Sequence, residues 1–121
     1  EALRYPRPVQ ERIPILIGGS GERKTLRLVA RYADACNLFG DAATVRHKVE
    51  VLRGHCEDVG RDLAGVEVTH LSLALDASVE EHIGRYRALA EAGVRTAMVR
   101  LPRLDEAAVE AFAPVIAAFA P

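Results

Sequence analysis

The sequence predicts an α/β fold of four consecutive β-α units with parallel strands, forming a single domain over residues 1–121. Short apolar or β-branched runs alternate four times with segments of helical period. Such strict alternation requires right-handed crossovers and a parallel sheet, which is expected to be buried on both faces. No linker or low-complexity stretch interrupts the pattern, and 121 residues are enough for one hydrophobic core.

The first two units carry the clearest helical periods. A strand at residues 13–17 is followed by a helix at residues 22–33, predicted from the spacing of Leu26, Val29, Ala30 and Ala33. A second strand at residues 34–39 precedes the most regular amphipathic stripe of the chain: Val45, Val49, Leu52, Cys56 and Val59. Asp41 is the predicted N-cap of this helix and Gly60 its C-terminal stop.

The last two units are marked by capping residues. The longest predicted strand covers residues 66–75, and Ser78 with Glu81 fits a capping box at the start of the next helix. That helix is expected to bury Ile83, Tyr86 and Ala90 and to end at Gly93. A fourth strand at residues 96–101 leads to a helix capped by Asp105, with the apolar stripe Val109, Phe112, Ile116 and Phe119 and an expected kink at Pro114.

Periodicity leaves the arrangement of these units open. Four β-α units can form a small doubly wound sheet of the flavodoxin type, or half of an eight-stranded (β/α)8 barrel. Strand order would distinguish the two. The chain begins with Glu1 in a proline-punctuated segment, which is typical of a fragment of a longer chain.

The composition argues against a nucleic-acid partner and against membrane association. The net charge is −1 and no basic run occurs, which argues against a nucleic-acid partner. No apolar stretch approaches the ~20 residues needed to span a bilayer, so no membrane association is expected. The two cysteines form no disulfide framework, which favours a reducing, cytoplasmic location.

The glycine-rich stretch "PILIGGSGERKT", residues 14–25, is the most informative motif. It places Gly18, Gly19, Ser20 and Gly21 in the connection between the first predicted strand and the first predicted helix. Unpaired amides at a helix start carry partial positive charge, and glycines let a phosphate approach them closely. The alternative is that these glycines only turn the chain. The spacing fits neither a Walker loop nor a dinucleotide fingerprint.

A resemblance to a known family favours phosphate binding over a simple turn for the glycine-rich stretch. The string "RPVQERIPILIGGSGERKTLRLVARYADACNLFG", residues 7–40, resembles the segment that enters the second half of bacterial-luciferase-like monooxygenases, closest to their branch that uses the deazaflavin coenzyme F-420. The later strings "HCEDVGRD", "VEVTHLSLAL" and "AEAGVRTAMVRLP" are also similar to that family. The resemblance covers the whole chain but only the C-terminal half of a family member, so it implies the last four units of a (β/α)8 barrel.

The resemblance also implies a cofactor site. The residues implied to bind the phosphate of F-420, or of FMN, are Gly18, Gly19, Ser20, Gly21, Glu22, Lys24 and Thr25, with the amides of residues 22–24 as donors. Asn37, near the end of the second strand, is an additional pocket candidate; the alternative is an amide satisfied within a turn. No catalytic acid or base and no metal site is identified.

Five further residues, four histidines and one cysteine, are judged by their surroundings in the sequence. His70 lies mid-strand and is either a polar group facing a cofactor ring or, more commonly, a satisfied structural histidine. His70, Ser72 and Ala74 share one face, and this small and polar face is expected to be the barrel interior or site. Cys36 reads as a small core residue. His47, His55 and His82 are spaced too irregularly for a metal site.

The predicted function is therefore the C-terminal half of a flavin- or deazaflavin-dependent oxidoreductase that transfers hydride or monooxygenates an unknown small substrate. The missing half-barrel is expected either from an N-terminal half or from a second copy in a homodimer. The alternative function is a non-catalytic, self-associating half-barrel or phosphate-ligand-binding module, since a half-barrel exposes two sheet edges and an apolar face.

Overall fold

A computed structural model describes residues 9–74 and 76–120. Four strands alternate with four helices: β1 Leu16–Gly18, α1 Thr25–Tyr32, β2 Ala35–Leu38, α2 Ala42–Asp58, β3 Glu67–Leu73, α3 Val79–Glu91, β4 Thr96–Arg100 and α4 Glu106–Ala117. A short 3-10 turn, Leu63–Gly65, precedes β3. The predicted order of elements is confirmed; Leu75, the predicted end of the third strand, lies outside the described residues.

The strands form one parallel sheet in the order β1-β2-β3-β4. The register aligns Gly18 with Asn37, Asn37 with Thr69, and Thr69 with Thr96. A doubly wound sheet reverses its strand order near the middle, and this sheet does not. The sequential order is that of half a (β/α)8 barrel, which confirms the predicted fold class.

The two faces of the sheet differ. One face is packed under the helices and buries Cys36, Leu38, Val68, His70 and Ser72. The other face carries Leu16, Leu71, Leu73 and Met98, all exposed, with Leu73 at 55% of its full accessibility. The prediction that both faces are buried is wrong, because right-handed crossovers between sequential strands put every helix on the same side.

The prediction that His70, Ser72 and Ala74 face the barrel interior is also wrong. His70 and Ser72 lie beneath the helices, whereas Thr69, Leu71 and Leu73 are on the open face. Small and polar residues fit the helix-covered face here because they hydrogen-bond to each other: His70 Nδ1 lies 2.7 Å from Ser72 Oγ.

The first unit is shorter than predicted at both elements. Residues 13–15 are not part of β1; instead Ile15 exchanges hydrogen bonds with Asp34, whose carboxylate accepts from the Ile15 amide at 2.7 Å. Residues 22–24 form a turn rather than the first turn of α1. The apolar spacing was nevertheless predictive, since Leu26, Val29 and Ala30 are buried.

The later helices begin where their caps predict. Asp41 accepts from the Thr44 amide, Ser78 and Glu81 form the full capping box, and Asp105 accepts from the Ala108 amide. The α2 stripe is buried as expected, except for exposed Val59 beyond its end. In α3 the buried residues are His82, Tyr86 and Leu89, so the predicted place of Ala90 on the buried face is wrong.

The last helix departs from prediction more strongly. It continues through Pro114 without a break, in agreement with the prediction, but it buries only Val115 fully. Three residues of its predicted core stripe are exposed instead: Val109, Ile116 and Phe119. The reason is that β4 is an edge strand of the sheet, so α4 has a helical neighbour on one side only.

Candidate functional site

The glycine loop, residues 18–25, follows the C-terminal end of β1, which is the edge of the sheet where barrel sites lie. Gly19 has φ +121°, a conformation that side chains rarely adopt. At Gly21 a Cβ atom would lie 2.9 Å from Thr25 Oγ1. The backbone of Gly19 therefore favours glycine, and a Cβ atom at Gly21 would force the Thr25 side chain to shift, while a Cβ at Gly18 would meet nothing within 4 Å.

The peptide planes of this loop are fixed by their carbonyl groups. Gly21 O accepts from the Leu26 amide at 2.9 Å, and Lys24 O accepts from the Leu28 amide at 3.0 Å. Since carbonyl and N–H of a trans peptide point in opposite directions, the amides that follow these carbonyls point out of the helix start. Within residues 9–74 and 76–120, the amides of residues 20–25 donate no hydrogen bond to the protein.

The loop is anchored at two points, Gly19 and Glu22. The Gly19 amide donates to Asn37 O at 3.1 Å, which ties the loop to β2. The Glu22 carboxylate accepts from Lys48 Nζ at 2.5 Å and lies 3.0 Å from His47 Nε2. These hydrogen bonds, first from Lys48 and then from His47, lower the pKa of Glu22 below its ordinary value. The Glu22 side chain therefore faces α2, and only its amide is available to a ligand.

Cationic side chains surround a hollow beside the loop. The hollow is lined by Gly21, Glu22, Thr25 and three cations, Arg23, Lys24 and Arg27. In the described part of the chain, none of these three cations pairs with a carboxylate within 4.0 Å. Unpaired amides and free cations together make a site of positive potential suited to a phosphate.

Asn37 lies on the open face of the sheet, next to Gly18 in register. It is buried, and its Oδ1 is 2.9 Å from Thr69 Oγ1, which also lies 3.0 Å from Cys36 O. The amide is thus partnered by a side chain from the neighbouring strand. Ser20 and Thr25 are half-buried in the loop, and their hydroxyls have no hydrogen-bond partner among the described residues.

The remaining candidates are structural. His70 is 1% exposed, and its Nε2 lies 2.8 Å from Gly40 O, so both ring nitrogens are engaged. Burial raises the pKa of the Cys36 thiol to about 11 and also raises that of Cys56, which makes both thiols poor nucleophiles. Over residues 9–74 and 76–120, no cluster of His, Cys, Asp or Glu could hold a metal ion.

Sequence reasoning missed the residues that hold the loop from α2. His55 Nε2 lies 2.7 Å from Glu22 O, and Lys48 and His47 hold the Glu22 side chain. These contacts span 25 to 33 residues along the chain. Helical spacing could have placed Lys48 and His55 on one face, seven residues apart, but no local signal identifies their partner.

No helix in the described part of the chain has the length and apolar character needed to cross a bilayer.

Comparison with known proteins identifies the fold and the family. An F-420-dependent secondary alcohol dehydrogenase, solved with an F-420–acetone adduct, superposes with a TM-score of 0.80 at 16% identity, over 99% of this chain and 52% of that chain. A coenzyme F-420-dependent tetrahydromethanopterin reductase from Methanopyrus kandleri gives a TM-score of 0.63 at 13% identity, over 85% of this chain and 49% of that chain. The search of curated proteins gave no significant match.

The structural likeness establishes the fold, and this chain spans about half the length of both solved structures. The model of the family described as luciferase-like monooxygenase matches residues 1–118, nearly the whole sequence. The chain therefore belongs to the luciferase-like monooxygenase family.

Proposed function

We propose that this chain supplies the phosphate-binding loop of a luciferase-like oxidoreductase that uses coenzyme F-420, with FMN as the alternative cofactor. The observation that carries the proposal is the glycine loop after β1, where, among the described residues, the amides of residues 20–25 have no protein acceptor and three unpaired cations line a hollow beside the loop. Gly18, Gly19, Ser20, Gly21, Glu22, Lys24 and Thr25 form this loop, and Asn37 borders it. Glu22 contributes through its amide alone.

The cofactor assignment is supported by the two F-420-dependent structures that share the fold. When bound, F-420 accepts or donates a hydride, so the chemistry is the cofactor's and the protein binds and orients it. In this chain, Glu22, Arg23 and Thr25 would direct amides at the phosphate, while Arg23 and Lys24 would neutralise its charge. The substrate is an unassigned small molecule.

The rest of the barrel is part of the proposal. The open face with Leu71, Leu73 and Met98 is a surface that a complete barrel fills with side chains from its other strands. Four more β-α units, from an N-terminal half or from a second copy, would cover this face and pair with the edge strands β1 and β4. The two buried free thiols fit a reducing, cytoplasmic location.

The direct test is a fluorescence titration of the 121-residue chain with F-420 and, separately, with FMN. Saturable binding of one cofactor supports the proposal and identifies the cofactor. Gly21→Ala should weaken binding about tenfold, because the new Cβ displaces Thr25 and intrudes on the hollow. Gly84→Ala is the matched control, since a Cβ there meets nothing within 4 Å. Equal binding by Gly21→Ala would refute the loop as the phosphate site.

A second candidate function is a self-associating module without catalysis. The observation favouring it is the same open face, where Leu16, Leu71, Leu73 and Met98 are exposed together. Apolar patches of this kind mark association surfaces. Sedimentation would show a dimer whose stability does not respond to F-420 or FMN if this candidate is correct. Dimerisation strengthened by the cofactor would instead favour the oxidoreductase.

A further inference from the structure

His55 makes a contact with the glycine loop that the proposed phosphate site does not yet explain. It projects from α2, is only 21% exposed, and places Nε2 2.7 Å from the backbone oxygen of Glu22. A carbonyl oxygen can only accept, so Nε2 carries the proton and donates. The other ring nitrogen, Nδ1, lies 4.0 Å from Asp58 Oδ2. The imidazole thus acts on the loop through one defined hydrogen bond.

This hydrogen bond sets the direction of the next amide. Glu22 O and the Arg23 N–H belong to one planar trans peptide group, in which carbonyl and N–H point to opposite sides. With the carbonyl held towards α2, the Arg23 N–H points away from α2. The hollow is lined by Gly21, Glu22, Arg23, Lys24, Thr25 and Arg27 and by no residue of α2. It therefore lies on a different side of the loop from the His55 contact.

The other residues of α2 that anchor the loop do not fix the direction of an amide. Lys48 and His47 hold the Glu22 carboxylate, which can rotate relative to its own backbone, so they restrain the loop without fixing the peptide plane. A carbonyl that accepts a hydrogen bond also polarises its peptide group and makes the attached N–H a stronger donor. His55 is the α2 residue whose contact bears on both the direction and the strength of one amide.

We propose that His55 is a positioning residue for the anion site: it locks the Glu22–Arg23 peptide so that the Arg23 amide faces the hollow and a bound phosphate. This inference rests on the proposed function, because it names a further residue of the same site. The ligand class is a phosphate monoester or free phosphate held by backbone amides.

The test is a titration of the full chain, labelled with 15N, with inorganic phosphate, followed by NMR at the amides of residues 20–25. His55→Leu removes the donor and should weaken phosphate binding about fivefold, the effect of losing one correctly oriented hydrogen bond. It should also shift the Arg23 nitrogen resonance in the free protein and abolish its response to phosphate. His55→Gln should restore both, because its amide nitrogen can occupy the position of Nε2.

Lys48→Met is the matched control, since it removes an anchor of Glu22 and leaves the peptide plane held. It should keep phosphate affinity within about twofold and keep the Arg23 response. Equal losses in Lys48→Met and His55→Leu would overturn the proposal in favour of general anchoring. Should His55→Leu fail to fold, His55→Asn replaces it, since its amide is too short to reach Glu22 O.

The two possible failures give different results. If no amide of residues 20–25 responds to phosphate in the unmodified chain, the proposed phosphate loop is wrong. If these amides respond and His55→Leu binds phosphate equally well with an unchanged Arg23 response, the loop stands and the role of His55 is refuted.

Discussion

The helix pair α1 and α2 is held far more firmly than the pair α3 and α4. The first pair buries Leu26, Val29, Val45 and Leu52 almost completely. Polar anchors add to this packing, because the guanidinium of Arg61 donates to the carbonyls of Val29 and Ala30 near the end of α1, at 3.4 and 3.3 Å. Glu22 ties the start of α1 to α2. Both ends of α1 are therefore fixed by groups outside it.

The second pair is packed loosely. A cavity of about 320 Å³ lies between α3, α4 and β4, lined mainly by apolar side chains. The Tyr86 hydroxyl is buried without a hydrogen-bond partner in the described residues, and Ile116 is 60% exposed. The glycine loop thus lies at the more tightly packed end of the sheet, and the proposed phosphate site is built on that end.

The largest expected effect tests this contrast with one deletion in each pair. Leu52→Ala in α2 should lower the free energy of unfolding by about 2–5 kcal/mol, because it leaves a cavity in a fully packed core. Ile116→Ala in α4 should change it by less than about 0.5 kcal/mol, as for other exposed positions. Urea titration of both variants measures the difference. Similar losses would show that α4 is packed as firmly as α2.

Tyr86→Phe should stabilise the chain, a sign opposite to that of most core substitutions. A buried hydroxyl without a partner costs about 1–3 kcal/mol, and removing it keeps the ring contacts with Phe112 and Phe119. Tyr32→Phe, on an exposed residue, is the control and should have almost no effect. Thermal unfolding of both variants is the measurement. A loss of stability in Tyr86→Phe would mean that the hydroxyl is satisfied in solution.

The sequence predicted what is encoded locally. The four β-α units and the caps Asp41, Ser78 and Asp105 follow from spacing and side-chain chemistry within a few residues. The glycine loop was recognisable because Gly19 has a backbone conformation that favours glycine and a Cβ atom at Gly21 would crowd the Thr25 side chain.

Long-range features could not be predicted in the same way. Whether His70 or Leu71 faces the helices depends on the handedness of the crossovers and on what lies beyond the sheet, and alternation alone gives two equivalent faces. The contact of His55 with Glu22 joins residues 33 apart, and nothing near His55 in the sequence indicates it. The prediction for the apolar stripe of α4 was wrong, because apolar spacing identifies a surface that can be buried but does not show whether another element packs against it.

The helix caps offer a smaller contrast. Asp41→Ala and Asp105→Ala each remove a side chain that accepts an amide hydrogen bond, at 2.8 and 2.9 Å, and each should destabilise its helix by about 1 kcal/mol. The free energy of global unfolding should fall by the full amount only in Asp41→Ala, because α2 lies within the core whereas α4 can fray separately. Hydrogen exchange across both helices, compared with urea unfolding, separates these outcomes. Equal global losses would argue that α4 unfolds only with the whole domain.

The smallest expected effect concerns acid and the anchors of the first unit. The hydrogen bond from the Ile15 amide, then that from Arg12, lowers the pKa of Asp34 below its ordinary value. A carboxyl with a lowered folded pKa stabilises the fold above its unfolded pKa, and this stabilisation is lost as the pH falls through the folded value. Acidification below the ordinary pKa of 3.8 should therefore release the Ile15 amide.

Exchange of the Ile15 amide, measured against pH and corrected for the intrinsic rate, tests this. Asp34→Asn is the matched control, because its amide keeps an acceptor oxygen but does not titrate, so its Ile15 exchange should lose the acid transition. An identical acid transition in both proteins would assign the effect to another carboxyl. The result bears on the contrast between the helix pairs, because Asp34 joins the end of α1 to the entry of β1. Protonation of Asp34 should weaken that connection, so that the first β-α unit is held less firmly and resembles the last unit more closely.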